Sequence, residues 1–85
     1  MSMVTEFIAL VAQSQQEINQ QIALLSSYLN ELTAMQGQVQ SVMDGSTRKE
    51  EQQMATQLAQ TKKQVEDTIA QLKSANKMLS RVRSI

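Results

Sequence analysis

The chain contains no cysteine, no histidine, no tryptophan and no proline. These absences exclude disulfides, zinc knuckles, haem ligation and imidazole acid–base catalysis in one step. Aromatic residues are reduced to Phe7 and Tyr28, and glycine to Gly37 and Gly45. No stretch approaches the roughly 18–20 uninterrupted apolar residues of a transmembrane helix, so no membrane span is expected. The opening residues MSMVTEFIALVAQ have no basic segment and place Glu6 just ahead of the apolar run, which speaks against a secretory signal peptide. The expected location is the cytoplasm, with any export following a signal-peptide-independent route.

What the chain does contain is helix-forming material. Its 85 residues include 14 glutamines and 9 serines, and its apolar residues are mostly aliphatic; such a composition favours helices over sheet. A single domain, residues 1–85, is expected. A chain this short buries a thin core, so partners are expected to supply part of its stability. The formal net charge is zero, but the signs are separated. Residues 1–47 carry Glu6, Glu17, Glu31 and Asp44 with no lysine or arginine, whereas residues 48–85 carry all eight basic residues and the other four acids. Opposite halves attract when folded together, though each exposed pair is worth only tenths of a kcal/mol. The basic end, Lys73, Lys77, Arg81 and Arg83, has no interleaved aromatics and is balanced by acids on the same chain, so no nucleic-acid partner is expected.

Alternating steps of four and three from Val4 meet Val4, Ile8, Val11, Gln15, Ile18, Ile22, Leu25, Leu29, Leu32, Gln36, Val39 and Met43. This is a coiled-coil seam interrupted by two glutamines. From Met54 the same steps give Met54, Leu58, Thr61, Val65, Thr68, Leu72, Ala75, Leu79 and Val82, with Ile69 and Met78 beside them. Gly45 suits the left-handed position just past a helix end, and Thr47 with Glu50 has capping-box spacing. The fold expected is therefore all-α: an antiparallel two-helix hairpin, about 3–43 and 47–83, assembling into a four-helix bundle. Aligning seam with seam pairs Ile8 with Val82, Val11 with Leu79, Gln15 with Ala75, Ile18 with Leu72, Ile22 with Thr68, Leu25 with Val65, Leu29 with Thr61, Leu32 with Leu58 and Gln36 with Met54. Gln15 and Gln36 read either as long side chains snorkelling to water or as a device that fixes register. Gly37 reads as the start of a kink, as a weak point in the helix, or as a place where a partner packs closely.

Phe7, Leu10, Leu24, Tyr28, Met35 and Val42 lie beside the seam at helical spacing, along one flank. Both aromatics of the chain are among them, which marks the flank as a partner interface. No catalytic arrangement accompanies it. Glu50–Glu51 and Glu66–Asp67 are adjacent in sequence and diverge on a helix, the serines have no histidine, and Lys73–Ser74 has no pocket to desolvate it. No enzyme activity, cofactor or metal is expected.

The length, the hairpin and the turn Met43-Asp44-Gly45 resemble the small WXG-type (ESAT-like) helical hairpins of the type VII secretion system, including the helical partners of larger LXG toxins. Gly45 matches the family glycine, and Met43 stands where the family has tryptophan or, in the larger toxins, leucine. The resemblance implies a targeting or chaperone partner of a larger effector, or a small co-secreted substrate. Its partners would be a second copy or a related hairpin, and the helical amino-terminal region of the effector. The family's Tyr-x-x-x-Asp/Glu export signal has no counterpart in NKMLSRVRSI, which implies that the signal comes from the partner. The alternative is a self-assembling structural subunit such as the needle proteins of type III secretion, although those usually carry proline at the turn.

Overall fold

A computed structural model describes residues 2–43 and 48–84. It is an all-α hairpin of two helices, α1 (Met3–Met43) and α2 (Lys49–Arg83). At 1.5 Å per residue the 41 residues of α1 account for about 60 Å, which sets most of the 67 Å length of a body only 15 Å across. Ser2 opens α1: its hydroxyl oxygen accepts the Thr5 amide at 3.2 Å, as an N-cap should. Arg48 holds the N-cap position of α2 in extended backbone without a side-chain cap bond, and its carbonyl accepts the Gln52 amide. The second helix therefore starts at Lys49, two residues later than expected, with Glu50 exposed in its first turn. Asp44, Gly45 and Thr47, on which the turn and capping expectations rest, lie outside the described residues.

The α1 seam forms as expected over most of its length. Val11 and Leu32 are buried, Leu32 to 2 % exposure, and Gln15, Ile18, Ile22, Leu25, Leu29, Gln36, Val39 and Met43 are half-buried. On α2 the seam is turned by one residue at every second layer. Val65 and Ile69 are buried, with Ala55, Leu58, Lys62, Leu72, Asn76 and Leu79 half-buried, while Met54, Thr68, Ala75 and Val82 are exposed. The physical reason is the choice between Thr68 and Ile69. A buried isoleucine removes more apolar surface from water, and the Thr68 hydroxyl is satisfied by the Gln64 carbonyl of its own helix. Leu32, Val65 and Ile69 form the core cluster, with Ile22, Leu25, Leu29 and Leu58 packed against it.

The register also differs. Gln15, expected opposite Ala75, bonds to Asn76, Ser80 and Arg83, about one turn further along α2. The later start of α2 lengthens the connection and carries the whole helix in that direction. As a result α2 ends before it reaches Val4 and Ile8. Both are exposed, as is Val82, the expected partner of Ile8. The first two turns of α1 project past the end of α2.

Among the described residues only Val11, Leu32, Val65 and Ile69 are buried apolar side chains. The hairpin by itself has a thin core.

Candidate interaction face

All six residues singled out on the flank of α1 are exposed: Phe7, Leu10, Leu24, Tyr28, Met35 and Val42. Val42 at 71 % and Leu24 at 64 % expose far more than packing against α2 would allow. Each sits one position before a seam residue, so the stripe is rotated about 100° from the seam. On α2 the position before the seam is occupied by Met54, Gln57, Thr61, Gln64, Thr68, Gln71, Ala75, Met78 and Val82, without a charge in the series. Because the helices are right-handed and antiparallel, these two stripes fall on the same side of the hairpin.

One feature of the geometry fixes that placement independently. Val42 from the α1 stripe and Met54 from the α2 stripe line one cleft at the turn end, together with Gln38, Val39, Met43 and Glu51. The cleft measures about 290 Å³ and its walls are almost entirely apolar. Two polar residues, Gln38 and Glu51, also line it, and the Glu51 Oε2 is shielded from solvent and has no hydrogen-bond partner. Of the large apolar residues exposed among those described, Met3, Phe7, Leu10, Leu24, Tyr28, Met35, Val42, Met54, Met78 and Val82 belong to this face. The remaining two, Val4 and Ile8, are seam residues on the projecting end of α1. The α2 contribution was the part sequence reasoning missed. Its signal lies in the uncharged series from Met54 to Val82, but the expected seam runs through five of those residues, Met54, Thr61, Thr68, Ala75 and Val82.

The opposite side of the hairpin is polar. The Gln15 amide donates to the Asn76 carbonyl at 3.3 Å and to the Ser80 hydroxyl at 2.6 Å, while its oxygen accepts from Arg83 Nη1 at 2.9 Å. Asn76 Nδ2 donates to Asn19 Oδ1 at 2.8 Å. Gln15 is thus a cross-hairpin clasp rather than a side chain snorkelling to water. Gln36, also half-buried, makes no such bond among the described residues. α1 runs unbroken through Gly37, and a Cβ placed there meets nothing within 4 Å, so the kink is not realised.

No helix among the described residues is long and apolar enough to cross a membrane. No group of three or more histidine, cysteine or acidic residues able to hold a metal ion occurs among them. No family model, no curated protein and no solved structure matches the chain.

Proposed function

We propose that the chain is a non-enzymatic helical adaptor of a type VII secretion system, which lays its apolar face against the helical amino-terminal region of a larger secreted effector and accompanies it as a targeting or chaperone partner. The observation that carries the reading is the confinement of the exposed large apolar residues outside the seam to one face. A continuous face of this kind on a narrow two-helix body is suited to a helix or helix pair as its occupant, because helical ridges fit between rows of side chains at the same spacing. The turn position of Met43 and the likeness to WXG-type hairpins supply the choice of system.

The test is direct. A tagged copy in its native cell is expected to retain a larger protein with a helical amino-terminal region, and the purified pair is expected to reassemble from that region alone. The double change Tyr28→Lys and Met35→Lys buries two lysines in the contact and is expected to weaken pairing at least a hundredfold, since unpaired buried charge costs several kcal/mol. Undiminished pairing by the double variant, with helicity unchanged, would refute this use of the face.

A further inference from the structure

We infer that the cleft at the turn end is a subsite for one arginine side chain of the effector helix, with the Glu51 carboxylate as its counter-ion. The inference rests on the adaptor reading and names the chemistry by which this end of the face selects its occupant.

The cleft joins apolar walls to a carboxylate oxygen that nothing satisfies. Val39 and Met43 are half-buried while Val42 and Met54 are exposed, so the cleft opens from the end of the seam onto the apolar face. Glu51 stands four residues before Ala55, in the α2 seam, and is half-buried. Its Oε2 is shielded from solvent and accepts no hydrogen bond, a cost that a cation arriving from outside recovers. The start of the helix does not account for this placement. Glu50, exposed in the same turn, already offsets the partial positive charge of the α2 amino terminus. Lys49 of that turn lines a separate polar groove with Gln52, Gln53 and Gln60.

Size and chemistry choose the occupant. A volume of about 290 Å³ lies at the lower limit of small-molecule pockets and suits a single long side chain. A purely apolar side chain would cover Glu51 Oε2 and leave it unpaired. Lysine would bring a strongly hydrated ammonium into an apolar cleft. Arginine meets both requirements. Its methylenes lie against Val42, Met43 and Met54, the two methionines adapting to its shape. Its weakly hydrated guanidinium donates to Glu51 and to the side-chain oxygen of the exposed Gln38. Val42 lies about four turns, or about 21 Å, beyond Tyr28 along α1. The arginine is therefore expected about 14 residues from the effector residue that covers Tyr28.

The free chain is tested first, by methyl NMR of its methionines, with n-butylguanidinium as the probe and n-butylurea as its neutral analogue. Butylguanidinium is expected to shift Met43 and Met54 and to leave Met78, about 36 Å along α2, unchanged. Butylurea is expected to bind about tenfold more weakly, and Glu51→Gln, which keeps the size of the side chain, to remove that difference. With the effector's amino-terminal region, Glu51→Gln is expected to weaken pairing about tenfold. Replacement of the effector arginine by methionine is expected to do the same, with no further loss when the two changes are combined. Equal binding of the two probes, shifts spread over every methionine, or shifts of Met43 and Met54 on concentrating the chain alone would overturn the inference, whatever the helicity of the variant. Pairing undiminished by Glu51→Gln removes this inference and leaves the adaptor role. A chain that retains no effector removes the adaptor role, while the preference of the cleft for guanidinium over urea stands.

Discussion

Gln15 and Gln36 occupy equivalent places in the same seam, yet they are not equivalent residues. Gln15 joins three groups of α2, so Gln15→Ala is expected to lower stability by about 1–2 kcal/mol. Gln36 has no such partner, and Gln36→Leu is expected to raise stability by roughly 1 kcal/mol through added apolar burial. Urea midpoints of the two variants check both signs, provided the slope is unchanged. Gly37 gives a third test. Its backbone is helical and the space around it is open, so Gly37→Ala is expected to gain about 0.5–1 kcal/mol. If the variant is more stable but pairs less well, the glycine serves a partner's close approach, which a lone hairpin does not reveal.

At the scale of the helix, the two elements and most of their bounds follow from periodicity, because forty residues of four-and-three repetition leave little choice of structure. The α1 seam from Val11 to Met43 was legible for the same reason. The α2 seam was not, since its residues carry a weaker contrast. Threonine, alanine and glutamine occupy many positions there, and a one-residue rotation changes little in their sum. Only the competition between Thr68 and Ile69 decides it, and that depends on packing against Leu25 and Leu29 across the pair. Register was likewise hidden, because a shift of one turn still brings seam onto seam. It is resolved by where α2 begins and by the bonds of Gln15. Ile69→Ala is therefore expected to cost about 2–4 kcal/mol, while Thr68→Ala should stay within about 0.5 kcal/mol. Thermal unfolding of the two variants separates the observed seam from the one drawn through Met54, Thr68, Ala75 and Val82, which predicts the larger loss at Thr68.

At the scale of the molecule, the face of α1 could be named from its sequence residue by residue, because Phe7 and Tyr28 stand out in a chain nearly free of aromatics. That α2 completes the face follows from handedness and the antiparallel path, once its seam is placed correctly. Four buried apolar side chains among the described residues make a thin core, so the face proposed to meet a partner is also expected to contribute stability when covered. The proposed function thus rests on what the hairpin leaves uncovered. The most direct measurement is methyl NMR of the methionines with and without the helical amino-terminal region of an effector. Met35, Met54 and Met78 lie on the face, whereas Met43 sits half-buried at the end of the seam. The account predicts that the Met35, Met54 and Met78 signals shift together and lose their access to a soluble paramagnetic probe when that region is added. If those three methyls are equally exposed with and without that region, the face is not an interface and the central claim fails.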